Sequence, residues 1–250
     1  MRDVSSDIDG LAATGLPADT VGLLEGLRTT RAIRRYRDEP VPPDVLRAVL
    51  FAATRAPSGS NRQPFRFIVL RDGPKAAEAK RLIGEGARRV WGDKRDNDRY
   101  DTGSGARDDS PKSRVTRVMQ DYVDGFDRVP VLILPCLVRY RDPTPFEGAS
   151  VFPACQNLLL AARALGYGGV LTGWHFGVEH ELRELLAVPD GVFMAATITL
   201  GRPVGSQGPV RRRPLPELVF EESWDSPAPW AVDPPDARHT AAGPPLPWVV

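Results

Sequence analysis

"TRAIRRYRDEPVPPDVLRAVLFAATRAPSGSNRQPFRFIVL", Thr30 to Leu70, carries several local instructions in succession. It opens with Arg31, Arg34, Arg35 and Arg37, guanidiniums so close that they repel one another unless solvent or an anion separates them. Pro42, Pro43 and Asp44 form a helix start, after which Val45, Leu46, Val49 and Leu50 fall on one face. In "APSGSNRQP", Pro57 and Gly59 permit a tight backbone path, while Ser58, Ser60, Asn61 and Gln63 offer donors and acceptors. The β-branched and aromatic run "FRFIVL" then predicts a strand over Phe65 to Leu70.

Two of these pieces admit a functional and a plain reading. Arg31, Arg34 and Arg35 share a face on a helix or turn, which suits a phosphate or another bidentate oxyanion. The plain reading is a solvated basic face paired with Asp38 and Glu39. The polar turn suits the edge of a heteroaromatic ring, or is a capping turn before a strand. A second basic run, Arg211, Arg212 and Arg213, reads in isolation as exposed surface. Two such clusters in a chain of near-zero net charge strengthen each other, because both could converge on one phosphate.

On the N-terminal side, "TVGLLEGLRTT" has apolar residues at helical spacing. On the C-terminal side, a helix begins near Pro74 and "DKRDNDRYDTGSGARDDSPK" follows as a charged, mobile or partly ordered excursion. "SRVTRVMQDYVDGF" is helical again, and "VPVLILPCLV" reads as a buried central strand. "EGASVFPACQNLLLAARALGYG" predicts the longest helix, stopped by Gly166 and Gly168. "GVLTGW" is a short strand and turn, "VEHELRELLAV" a helix, and "GVFMAATITLGRP" one further strand. Past Pro203 the periodicity collapses, and residues 226–250 hold seven prolines, as an extended or disordered tail does. A single three-layer α+β domain over residues 1–225 followed by this tail fits the pattern.

Composition bounds the function. The 250 residues are 42% hydrophobic and 26% charged, ordinary for a globular protein with a substantial core. Lys plus Arg is 33 and Asp plus Glu 32, so no global field favours nucleic acid or an anionic membrane surface. No apolar run reaches a membrane span and "MRDVSSDIDG" lacks the apolar core of a secretory signal, so the expected compartment is the cytoplasm. Cys136 and Cys155 sit in apolar segments and read as buried free thiols; with three scattered His they make no metal site. Neither a G-x-S-x-G elbow, a Walker loop nor an H-E-x-x-H helix occurs, and "GYGGVLTG" follows a helix where a dinucleotide fingerprint requires a strand. Trp174 and His175 read as packed side chains or as the lining of a substrate pocket.

The Thr30–Leu70 stretch strongly resembles the opening signature of the nitroreductase family of FMN-dependent oxidoreductases. "SVFPACQNLLLAARALGYGGVLTGW" and "ITLGRP…RRRPLPELV" also look like that family, in the same order. The resemblance implies a central, mostly antiparallel sheet flanked by helices, and an intertwined homodimer with FMN at the seam between subunits. It implies that Arg31, Ala32 and Arg34 meet the phosphate, ribityl chain and pyrimidine edge, and that Leu171, Thr172 and Gly173 lie beside the isoalloxazine. Pro57, Ser58, Gly59 and Asn61 would come from the partner subunit, and Arg211 and Arg213 would complete the phosphate clamp. Thr30 stands where the family commonly has a further arginine, a gap that Arg28 or Arg213 could fill, and Ala32 stands where Ser is frequent.

The activity so implied is ping-pong transfer of a hydride from NADH or NADPH through flavin N5 to a small-molecule acceptor such as a nitroaromatic or quinone. Arg34 would be the electrostatic stabiliser, and no side chain serves as catalytic acid or base. The alternatives are a flavin-binding sensor without turnover and specialised family chemistry: flavin fragmentation, dehalogenation or azoline oxidation. Trp224, Trp230 and Trp248 would anchor the tail on the other subunit.

Overall fold

The computed structural model describes residues 15–241 as α1 (Leu23–Thr29), α2 (Pro43–Ala53), β1 (Phe65–Leu70), α3 (Pro74–Asn97), α4 (Pro111–Asp124), β2 (Val131–Val138), α5 (Phe152–Ala164), β3 (Gly168–Thr172), α6 (Glu179–Leu186), β4 (Val192–Met194), β5 (Thr197–Gly201), β6 (Arg211–Arg212) and β7 (Arg238–His239). β2 is the spine of the main sheet. Val131, Ile133 and Leu137 face one layer while Leu132, Leu134 and Cys136 face the other, so the strand is buried on both sides and its sequence is unbroken apolar. β1 runs antiparallel along one edge of β2, from Phe65 opposite Leu137 to Leu70 opposite Leu132. Along the other edge, β5 pairs with Val131–Ile133 and β4 with Cys136–Val138. β3 joins antiparallel to β5, giving the order β1-β2-β5-β3.

Helices cover both faces. Val45, Leu46 and Val49 of α2 and Leu158 of α5 bury one side of the sheet, and Ile83 of α3, Tyr122 of α4 and Leu182 of α6 bury the other. Each fully buried side chain of this size contributes about 1.5 to 3 kcal/mol. The result is the three-layer α+β architecture that the sequence pattern predicts. Cys136 and Cys155 are free, buried, and lie in different layers. Burial pushes their thiols up to about 11 and about 12, which keeps them protonated and unreactive at neutral pH.

Several expectations need correction. The longest helix is α3, at 24 residues, not the segment after Glu147. There Glu147–Ser150 forms a separate 3-10 turn, and α5 begins at Phe152 with Pro153 in its first turn. "GVFMAATITLGRP" is two strands, β4 and β5, bearing on different parts of β2. The charged excursion is held in place at several points. Its first residues extend α3, where Lys94 and Asp98 pair at 2.5 Å, and Arg95 makes a two-pronged contact with Asp101 at 2.7 and 2.9 Å. Tyr100 packs on Trp91, and Lys112 donates to the Arg99 carbonyl at 2.6 Å.

Beyond Gly201 the chain folds back on itself. The Val204 and Val210 amides donate to the Arg35 and Arg28 carbonyls, so residues 204–210 run antiparallel beside residues 28–35. Within the proline-rich tail, Ala228 and Ala231 are buried, and β7 pairs in parallel with β6. Trp224 and Trp230 are exposed, and Trp248 lies outside the described residues. Among the described residues no helix is long and apolar enough to cross a membrane.

Candidate functional site

At the free edge of β3 the Ile33 amide donates to the Gly169 carbonyl at 3.0 Å, and the Arg37 amide donates to the Arg202 carbonyl at 2.9 Å. The first bond seats the arginine segment against β3, which carries Leu171 and Thr172 and is followed by Gly173; the second ties the segment's other end to the residue after β5. Glycine at 168 is required by this seating, since a Cβ there would stand 2.6 Å from Ile33 Cγ1. The two segments so joined each contain a buried polar atom with no partner: Arg34 Nε and Thr172 Oγ1. Leaving a buried donor unpaired costs about 1 to 3 kcal/mol; of the three such side-chain atoms among the described residues, the third being Thr144 Oγ1, two fall on these adjoining segments, where a polar ligand would satisfy them. The Arg34 guanidinium is close enough to the Tyr36 and Tyr122 phenols to oppose the rise that burial imposes on both.

Of the two carboxylates that the plain reading pairs with the basic run, Glu39 pairs instead with Arg202. Arg31 and Ala32 are exposed. Among the described residues the Arg31 and Arg211 guanidiniums have no ion-pair or hydrogen-bond partner, whereas Arg213 is held by Glu217 at 2.6 Å and Arg28 by Asp236. Neither compensating candidate for Thr30 is therefore free of a carboxylate. Thr30 itself closes α1, donating from Oγ1 to the Gly26 carbonyl at 2.7 Å.

The polar turn lies elsewhere. Ser60, Asn61 and Gln63 adopt left-handed backbone angles, with φ of 51°, 50° and 48°, a run of strained residues that only a strongly determined loop sustains. Ser58 Oγ accepts from the Gln63 amide at 2.9 Å, the Gly59 amide donates to Ser150 Oγ at 3.3 Å, and Gln63 Nε2 donates to Asn61 Oδ1 at 3.3 Å. The capping turn of the plain reading is thus present, with Pro57, Gly59 and Asn61 exposed on it. Since the turn leads into β1 and the arginine segment lines β3, the two stand at opposite edges of the sheet, three strand spacings or about 14 Å apart before any offset along the strands. Within one chain the Ile33–Gly169 bond joins the segment of Arg31, Ala32 and Arg34 to β3, the strand of Leu171 and Thr172 with Gly173 just after it, and residues 204–210, just ahead of Arg211 and Arg213, run beside residues 28–35. The same chain does not bring Pro57, Ser58, Gly59 or Asn61 to them.

His175 is fully buried, with Nε2 2.9 Å from the Met194 carbonyl and Nδ1 3.0 Å from Thr197 Oγ1. Only N–H can face a carbonyl, so the Nε2–H tautomer donates to Met194 and Nδ1 accepts from the threonine. Burial lowers its pKa below the ordinary imidazole value, and it is a neutral structural side chain. Trp174 packs edge-on against Phe126 and beside Tyr122. Phe176 sits directly over Gly173, where a Cβ would approach its ring to 3.0 Å.

The sequence model of the nitroreductase family matches residues 27–202. The chain belongs to the nitroreductase family. A Methanothermobacter thermautotrophicus protein named as an NADH dehydrogenase/NAD(P)H nitroreductase is 27% identical over 206 residues, covering 81% of this chain and 87% of its own length. Rat iodotyrosine deiodinase 1 is 36% identical over 204 residues, covering 78% of this chain and 67% of its own. Among solved structures, a Desulfovibrio desulfuricans protein assigned as a nitroreductase and solved in complex with FMN superposes with a TM-score of 0.58 at 29% identity, over 82% of this chain and 98% of that one. This nitroreductase-family chain also contains a buried hydroxyl group set, Tyr36, Thr199 and Tyr122, that sequence reasoning passed over. The available signal was Thr197 and Thr199, polar residues at alternate positions of an otherwise apolar strand, which place two hydroxyls on one buried face.

Proposed function

We propose that this protein is an FMN-dependent oxidoreductase that takes reducing equivalents from NADH or NADPH and passes them to a nitroaromatic, quinone or related small-molecule acceptor. The observation that carries the reading is the pair of unpartnered buried atoms, Arg34 Nε and Thr172 Oγ1, on two segments bonded to each other at the sheet edge. Their chemistry fits a flavin: a fixed cation and donor for the pyrimidine edge, a hydroxyl beside the ring, and the unpaired Arg31 and Arg211 for the phosphate. FMN, when bound, supplies hydride chemistry at N5.

The residues then have separate tasks. Arg31 and Arg211 hold the phosphate by charge-assisted hydrogen bonds. Arg34 offers positive charge where negative charge develops on reduction, and it does so from a pre-set position that needs no reorganisation. Leu171, half-exposed at the strand end, offers an apolar surface on which a ring can rest, and Gly173 presents its backbone beside it, its Cβ side being covered by Phe176. Pro57, Ser58, Gly59 and Asn61, at the far sheet edge, reach this site from a second copy of the chain, making the functional unit a homodimer. No side chain is assigned as acid or base.

The test is direct. Purified protein should be yellow with FMN, and stopped-flow mixing with NADH or NADPH should bleach it, with colour restored by a nitroaromatic or quinone. Protein that stays yellow under both reductants is a flavin carrier, and colourless protein with no affinity for FMN overturns the reading altogether. A second reading, reductive removal of halogen from an aromatic ring, is favoured by the 36% identity to the deiodinase. Iodide release from iodotyrosine by the reduced protein, with slow turnover of nitroaromatics, would select it.

A further inference from the structure

Three hydroxyls form a chain in the layer beneath the candidate site. Tyr122 Oη lies 2.6 Å from Thr199 Oγ1, Thr199 Oγ1 lies 2.8 Å from Tyr36 Oη, and Tyr36 Oη lies 2.7 Å from the Ile33 carbonyl oxygen. Tyr122 and Thr199 are buried. Proton accounting orders the chain. A carbonyl only accepts, so Tyr36 spends its single proton on the Ile33 carbonyl at 2.7 Å, with the Thr199 carbonyl a longer second acceptor at 3.3 Å; Tyr36 Oη can then only accept from Thr199 Oγ1, and Thr199 Oγ1 in turn only accept from Tyr122. All three O–H bonds therefore run in one direction, toward the backbone of the arginine segment, and each bond polarises the next. Because the chain ends on a carbonyl it transfers no proton; its output is mechanical and electrostatic.

That output is delivered beside Arg34. The Ile33 residue is clamped twice, its carbonyl by Tyr36 and its amide by the Gly169 carbonyl at 3.0 Å, so the backbone leading into Arg34 is fixed from the core side and from β3. Arg34 Nε has no hydrogen-bond partner among the described residues. We propose that the Tyr122–Thr199–Tyr36 hydroxyl chain is the positioning device for Arg34, fixing its charge at the flavin's pyrimidine edge. This rests on the FMN reading above. Electrostatic pre-organisation requires a charge that does not relax when the ligand's charge changes, and a side chain without a carboxylate partner gains that rigidity only from its backbone and its packing.

The test uses Tyr36→Phe, which keeps the ring and removes the last link, and Thr199→Val, which keeps the volume and breaks the middle one. FMN affinity is read from flavin fluorescence and the two-electron midpoint potential from redox titration of the bound flavin. The expected result is that each variant binds reduced FMN about tenfold less well relative to oxidised FMN, a fall of about 30 mV. The double variant should be no worse than either single, since one chain is broken once. Ile198→Val loosens the same strand from its opposite face and should leave the potential unchanged. An unshifted potential in both hydroxyl variants, or an equal shift in Ile198→Val, overturns the positioning role while leaving the flavin reading intact. Wild-type protein without affinity for FMN overturns both.

Discussion

At the scale of single residues, the sharpest consequence concerns Arg31, which is exposed and whose guanidinium is unpaired among the described residues. Arg31→Ala should weaken FMN binding by about 1.5 to 3 kcal/mol, the range of a charge-assisted hydrogen bond, with the unfolding midpoint of the apoprotein unchanged. Isothermal titration of apoprotein with FMN measures it, and undiminished affinity would reassign the phosphate to Arg211. His175 gives a pH dependence. Its pKa is lowered in the folded state, so the unfolded chain binds the proton more readily. Its contribution to stability is complete above the ordinary imidazole value of 6.5 and falls as the pH drops below it, by up to about 1.4 kcal/mol per pH unit. The carboxylates with depressed pKa, Glu78, Asp101, Glu147 and Asp236, lose their contributions only at lower pH, below about 4.5. Urea unfolding at pH 7 and pH 5.5 should therefore show a loss in the wild type that His175→Gln reduces.

At the scale of elements, β3 has to fit against β5 with no room to spare. A Cβ on Gly169 would lie 2.2 Å from the Thr199 carbonyl oxygen, so Gly169→Ala must part the two strands. We expect a destabilisation of about 1 to 3 kcal/mol in urea denaturation together with weaker FMN binding, because the same strand carries Leu171 and Thr172. Elements of this kind were legible where pattern and burial agree. β1 and β2 could be read because alternating or unbroken apolar runs bounded by turns admit few other structures. The end of α3 could not, because "DKRDN" has no apolar period and is held as helix by charge pairs such as Lys94 with Asp98. Nor could the break between β4 and β5, since Ala195 and Ala196 are as buried as the strands they separate. For the site, the residue types were legible from the family resemblance. How their segments join was not, because the Ile33–Gly169 bond spans about half of the chain and joins a strand edge to an irregular segment.

At the scale of the molecule, the arginine segment and the polar turn stand at opposite edges of the sheet. If a ligand needs both, two defective chains should repair one another. Mixing an Arg31→Ala, Arg34→Ala chain with a Ser58→Ala, Asn61→Ala chain and allowing exchange should restore about a quarter of the FMN sites, since about half of the dimers are mixed and each has one intact site. Titration of each variant alone should show none, and a mixture no better than its parts would place the whole site within one chain.

With the site shared between two chains, as proposed, the same separation would set how the protein behaves when scarce. A pocket whose walls belong to different molecules exists only while those molecules stay together, so its occupant and its quaternary contacts stabilise one another by mass action. Progressive dilution should then release the yellow ligand with steeper than first-order dependence on protein concentration, and surplus ligand should delay dissociation of the chains. For such a protein, specific activity is a property of the solution's concentration as much as of the polypeptide.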